Sequence, residues 1–234
     1  MSDRKFDVVA VISRYNGNRI ITKGDKPLAS LAALAGKSVG VTVGTNTQFM
    51  LDEAVQRAGI KINTVNVAPS DIVPALVRGD IAAGAPFPAF YNGAKKTLGS
   101  NYQDLKISGY ATTFVVVASP NVMKKRPKDV AKFLRGLIAG QKLVNSDPAA
   151  AQKAVAHILG GATSLTAVRS AWKDYDFKIS LDPALLDLMV REGIWIHAKG
   201  IIKNVKPTEA LFRSRVDAAP LKQVAPALVT LREP

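Results

Sequence analysis

The 234-residue chain has no cysteine, only two histidines and 6% aromatic residues. The first absence removes disulfides, thiolate nucleophiles, zinc ribbons and cysteine-ligated iron–sulfur clusters together, and leaves the redox compartment unread. No window approaches ~18 uninterrupted apolar residues, so no membrane-spanning helix is expected. The first twenty residues, MSDRKFDVVAVISRYNGNRI, set charges on both sides of a short apolar run and lack a small-residue cleavage site, so no export signal is read in them. Acidic residues are the minority, 18 against 32 basic, for a net charge of +14. Residues 1–115 hold 13 basic and 8 acidic residues and residues 116–234 hold 19 and 10, so the later half supplies +9. Such a field favours anionic partners and speeds their encounter without naming them. The remainder is 47% hydrophobic, the composition of a core-forming chain rather than a disordered one.

Short β-branched runs at 7–13 (DVVAVIS) and 19–22 (RIIT) predict two strands joined by the turn-forming group Tyr15–Asn18. Ser30 and the Leu/Ala spacing after it predict one or two helical turns ended by Gly36. Residues 38–43 read as a strand that breaks at Gly44. From Thr47 the period becomes helical, with Phe49, Met50, Ala54, Val55 and Ala58 on one side. The grammar then repeats: a strand at 62–67, a helix from an N-cap at Ser70 to Arg78, and a small-residue strand at 81–87. Strands at 105–109 and 113–119 precede a run of helices at 127–144, 147–159, 163–172, 182–197 and 207–213. Alternating β and α segments predict an α/β fold with a parallel or mixed sheet.

The most informative chemistry lies at Gly44, Thr45, Asn46, Thr47 and Gln48, where a strand ends and a helix begins. Unpaired first-turn amides and the helix dipole accommodate a small anion there, and hydroxyl and amide side chains add donors. The same residues also serve as a turn glycine and N-cap with no ligand at all, and spacing alone does not separate the two readings. No Gly-Lys-Ser/Thr follows, and Gly40 with Gly44 does not make a dinucleotide fingerprint, so nucleotide binding is unsupported.

No catalytic residue, metal ligand set or cofactor motif emerges. His157 and His197 sit in helical patterns and read as structural or solvated, the carboxylates are scattered, and adjacent Asp52 and Glu53 point to different sides of a helix. The basic run Lys124, Lys125, Arg126, Lys128 lacks interleaved aromatics and any nucleic-acid motif, and reads as a solvated face rather than a specific nucleic-acid site. Core packing accounts for Trp172, Tyr175, Phe177 and Trp195.

Three segments, LAALAGKSVGVTVGTNTQFMLDEAVQRAGI (31–60), PSDIVPALVRGDIAAGAPFPAF (69–90) and FVVVASPNVMKKRPKDVAKFLRGLIAG (114–140), together resemble the bacterial solute-binding proteins of ABC importers of the nitrate/sulfonate/taurine type, which include thiamine-pyrimidine-precursor binders. DYDFKISLDPALLDLMVREGIWI also looks like the family's helical C-terminal half. The resemblance implies a type II periplasmic-binding-protein fold: two α/β lobes joined by a two-strand hinge, lobe one being 1–24 with 113–234 and lobe two 25–112. It implies a non-enzymatic protein, periplasmic in location, that captures a small anionic solute between its lobes and docks with a membrane permease. Gly44, Thr45, Asn46, Thr47 and Gln48 match the family's ligand-facing turn, while Tyr15, Asn16, Phe87 and Tyr110 are further cleft candidates that serve equally as packing or hinge residues. Ala82, Pro88 and Ala89 replace the family's Asp, Glu and Pro, which implies a less polar pocket wall.

The implied fold begins with roughly sixty residues of β-α-β-α, at about thirty per unit, before the strand at 7–13. The chain starts without them, so the first lobe is expected to be N-terminally incomplete, and an open sheet edge invites self-association. Two other readings stand beside the solute-binding one. An enzyme of the thiamine-pyrimidine synthesis type shares the fold but relies on a cysteine-rich segment, and a nucleic-acid-binding module rests on net charge alone.

Overall fold

The computed structural model describes residues 6–160 and 163–232. In chain order its elements are β1 (Asp7–Tyr15), β2 (Arg19–Lys23), β3 (Ser38–Val41), α1 (Asn46–Arg57), β4 (Asn63–Asn66), α2 (Ile72–Arg78), β5 (Ala83–Gly84), α3 (Tyr91–Leu98) and β6 (Tyr102–Lys106). There follow β7 (Thr112–Ala118), α4 (Pro120–Lys125), α5 (Pro127–Ser146), α6 (Pro148–Ile158), α7 (Leu165–Trp172), β8 (Tyr175–Asp176), α8 (Pro183–Ala198), α9 (Glu209–Arg213) and α10 (Ala219–Val224). They form two compact units: unit 1 runs to Tyr15 and resumes at Thr113, and unit 2 is Asn16–Thr112.

The first crossing therefore falls between Tyr15 and Asn16, not after residue 24, which corrects the boundary expected from sequence. The reason is the pairing of β2. Its residues Ile21 and Thr22 lie antiparallel to Gly84 and Ala83 of β5, and its full length pairs antiparallel with β6, so the β2 backbone is committed to unit 2. Tyr15 correspondingly ends β1 rather than joining the turn.

Unit 2 is a five-stranded mixed sheet in the order β4-β3-β5-β2-β6, with β3 parallel to both β4 and β5. Its inner strands are short and buried, with Ile20, Ile21, Val39 and Val41 fully enclosed. Small residues let a layer close on them: a methyl added at Gly40 would meet Ile81 Cδ1 at 2.6 Å, and one at Gly84 would overlap Ile72 of α2. α1 enters this layer by its first turns, burying Phe49, Met50, Leu51 and Ala54, whereas Ala58, expected on the buried side, is exposed. The cap expected at Ser70 is displaced by one residue: Asp71 is the N-cap of α2 and Ser70 Oγ donates to its carboxylate at 3.1 Å.

Unit 1 is built on the three-stranded sheet β7-β1-β8, with helices α4 to α10. Val8, Val11, Leu134, Leu181 and Leu221 form the centre of its core. The short helices are held by side-chain caps. Ser119, Asp147, Ser164, Asp182 and Thr208 each accept an amide from the first turn of α4, α6, α7, α8 and α9 respectively. Arg14 of β1 donates to Asp182 at 2.8 Å and ties the strand to the start of α8. Burial pushes the Asp182 carboxyl up, but the Ser180 hydroxyl, the Arg14 charge and the Leu185 amide outweigh it and hold the group below the ordinary carboxylate range. Among the described residues no helix is long and apolar enough to cross a membrane.

Candidate functional site

The turn between β3 and α1 is closed by its own side chains. Gly44 takes a left-handed backbone, φ +79°, which only glycine adopts without strain. Its amide donates to Gln48 Oε1 at 2.8 Å, and Gln48 is only 5% exposed. Thr45 is the N-cap of α1 with an extended backbone, yet its side chain caps no amide, unlike Thr208 at the start of α9. The Thr45 hydroxyl instead donates to the Thr42 carbonyl at 2.6 Å. Because a hydroxyl carries one proton, the 2.8 Å contact between Thr45 Oγ1 and Thr47 Oγ1 is donated by Thr47. The printed pairs thus commit both hydroxyl protons within the turn.

Backbone amides are what the turn leaves for a ligand. The first intrahelical bond of α1 runs from Phe49 N to Thr45 O at 3.1 Å, so the amides of Asn46, Thr47 and Gln48 precede the helical ladder. No side chain from Gly44 to Gln48 is ionisable. The local field is that of the helix dipole, which places a partial positive charge at this end and favours an anion.

The turn is braced on two sides. Asn66 Oδ1 of β4 accepts from Val43 N at 3.1 Å, and Thr42 Oγ1 donates to Val67 O at 2.9 Å. Asn46 Nδ2 donates to Thr112 Oγ1 at 3.4 Å, and Thr112 donates onward to Asn18 Oδ1 at 3.1 Å. Asn18, 1% exposed, also accepts Ile107 N on its backbone carbonyl at 2.9 Å. The first residue of α1 is thereby linked to residues adjoining both points where the chain passes between units. Neither Asn18 nor Thr112 was legible as a site residue, because their pairing depends on strands far apart in sequence. The spacing Thr45-x-x-Gln48 is a capping-box signature that the sequence does carry, here with the Gln side chain reaching one residue further back, to Gly44.

The other candidates are dispersed. Tyr110 is buried and packs edge-to-face on Phe49 of α1 with centroids 5.7 Å apart, which brings it to the helix as a packing residue. Phe87 is half-buried ahead of a 3-10 turn at Pro88–Phe90, and its carbonyl accepts Phe90 N. Asn16 is exposed at the first residue of unit 2. Tyr15 belongs to unit 1, buried against Tyr175 at 4.7 Å. His157 is exposed on α6, and His197 Nδ1 lies 3.0 Å from Ile202 O. Among the described residues no group of three or more His, Asp or Glu is arranged to hold a metal. Lys124, Lys125, Arg126 and Lys128 are all exposed, with Arg126 paired to Asp129 at 2.7 Å.

A model of the family described as NMT1/THI5 like matches residues 2–151. No curated protein sequence matches the chain. Among solved structures the chain is similar to the periplasmic aliphatic sulphonate binding protein SsuA from Escherichia coli, at 18% identity and a TM-score of 0.74 over 91% of this chain and 69% of that one. It is similar to the alkanesulfonate-binding protein SsuA from Xanthomonas axonopodis pv. citri bound to MOPS, at 16% identity and a TM-score of 0.68 over 92% and 74%. It is also similar to the desulfurization enzyme DSZB, at 13% identity and a TM-score of 0.72 over 97% and 80%. At these identities the likeness shows the fold, the α/β fold of periplasmic binding proteins, which both binding proteins and an enzyme carry.

Proposed function

The chain belongs to the NMT1/THI5-like family, and on that premise we propose that it is the substrate-binding component of an ABC importer and holds a small anionic solute at the N-terminus of α1. The observation that carries this reading is the internal commitment of the Gly44–Gln48 turn. Thr45 and Thr47 spend their hydroxyl protons within it, Gln48 takes the Gly44 amide, and the amides of Asn46 to Gln48 stand ahead of the first helical bond. A turn shaped by its side chains and open at its amides suits a sulfonate, nitrate or carboxylate, whose oxygens accept hydrogen bonds and whose charge the dipole favours. The net charge of +14 adds a long-range attraction for such solutes.

The partner in this reading is a membrane permease and the location the periplasm, in line with the sulfonate-binding proteins of the same fold. Calorimetric titration of the purified chain with nitrate, propane-1-sulfonate, MOPS, benzoate and a pyrimidine tests it. Saturable one-to-one binding of at least one anion, weakened by added salt, is the expected result. Absence of binding across all classes, or binding of the neutral pyrimidine alone, contradicts it.

A further inference from the structure

Unit 1 carries an aromatic cluster at one end of its sheet. Tyr15, the last residue of β1, lies directly opposite Tyr175 in the β1–β8 register. Tyr175 contacts two further rings at shallow angles: Phe177 at 5.3 Å and 14°, and Phe114 of β7 at 6.4 Å and 28°. Trp172 packs against Phe177 at 4.5 Å. The cluster is graded in exposure. Tyr15 is 2% exposed, Tyr175, Phe177 and Trp172 are half-buried, and Phe114 is 39% exposed. Core packing, the expectation from sequence, accounts for Tyr15 but leaves aromatic surface on β7 and β8 in water.

Three near-parallel rings from separate parts of the chain make a flat apolar step. Covering it with another planar ring recovers apolar burial and adds the stacking preference that an alkyl chain lacks. The position agrees with the general rule that open α/β sheets bind ligands outside the carboxyl ends of their strands, since Tyr15 is the carboxyl end of β1. The flanking charges, Lys173 and Lys178 against Asp174 and Asp176, balance in number, so the cluster itself selects for a ring and not for a charge.

We infer that the Phe114–Tyr175–Phe177 stack is a binding platform for a planar aromatic ring, so that the solutes of this protein are aryl rather than alkyl anions; the second clause rests on the solute-binding reading above. The test compares benzenesulfonate and naphthalene-2-sulfonate with propane-1-sulfonate by calorimetry, in the intact chain and in Phe114→Leu and Phe114→Trp. The expected result is tighter binding of the aryl sulfonates, a loss of about 3- to 10-fold for them alone in Phe114→Leu, and retention in Phe114→Trp. Trp172 fluorescence should also respond to the aryl but not to the alkyl probe. Equal affinities for aryl and alkyl sulfonates, with Phe114→Leu changing both alike or neither, overturn the platform and leave the anion site standing. Neutral benzyl alcohol separates the remaining case. Shifts of the Phe114 and Tyr175 ring resonances with this probe support the platform even if no sulfonate binds, and their absence overturns it.

Discussion

Gln48 Oε1 accepts the Gly44 amide at 2.8 Å across a turn that neither residue could hold alone. The glycine supplies a left-handed backbone, and the buried glutamine pins it from the third position of α1. Gln48 acts on the candidate site by shaping it. Gln48→Ala should therefore cost about 1 kcal/mol of unfolding free energy and weaken anion binding. Gln48→Glu keeps an acceptor for Gly44 and suits the helix dipole, but sets a negative charge beside the proposed anion. Chemical denaturation should show Gln48→Glu close to the unaltered protein, while titration with propane-1-sulfonate or benzenesulfonate shows affinity reduced about tenfold.

Gly44→Ala tests the backbone itself. At φ +79° a Cβ costs about 1–2 kcal/mol, so the thermal midpoint should fall by several degrees even though the added methyl is small. An unchanged midpoint contradicts the left-handed turn.

Thr112→Val keeps the shape of the side chain and removes the hydroxyl that donates to buried Asn18 and accepts from Asn46. The expected loss is about 1 kcal/mol. Amide hydrogen exchange at Ile107, whose N–H is held by the Asn18 carbonyl, should quicken with it. Exchange that stays at the original rate contradicts a link between Asn18 and Thr112.

Much of this architecture is legible along the chain because it follows local rules. β1, β3 and α1 declare themselves by β-branched runs, a turn glycine and a change of period, and the helices of unit 1 by Pro or cap residues at their starts. What escapes depends on distant partners. β5 keeps only Ala83 and Gly84 of a seven-residue run that leads into Pro86 and Pro88, because the parallel register with Val39 and Gly40 ends there. β8 is two residues long and exists only opposite Arg14 and Tyr15. α3 has a glycine at its third position and no side-chain cap to mark its start. The candidate turn was visible as residue types, but the direction of each hydrogen bond, which turns Thr45 and Thr47 inward, required coordinates.

Asp182 gives unit 1 a pH dependence of definite sign. Its carboxyl titrates below its ordinary value of 3.8, so its contribution is present in full above that value and is lost as pH falls through the lowered one. Asp182→Asn keeps a cap for Leu185 and loses the charge facing Arg14. Denaturation from pH 7 down to about 2 should show the variant about 1 kcal/mol less stable at neutral pH. The two stability curves should converge in acid. Parallel curves contradict the assignment.

The amides of α1 are the centre of the account, and proline at the first helical position removes one of them without breaking the helix. Thr45, with ψ 165°, already has the extended backbone that a following proline requires. Titration of Asn46→Pro against Asn46→Ala with the tightest-binding anion of the panel isolates the amide from the side chain. The predicted result is a thermal midpoint within a few degrees for the pair and an affinity about tenfold or more lower for the proline variant. Equal affinities in the two variants would show that the α1 amides do not hold the solute.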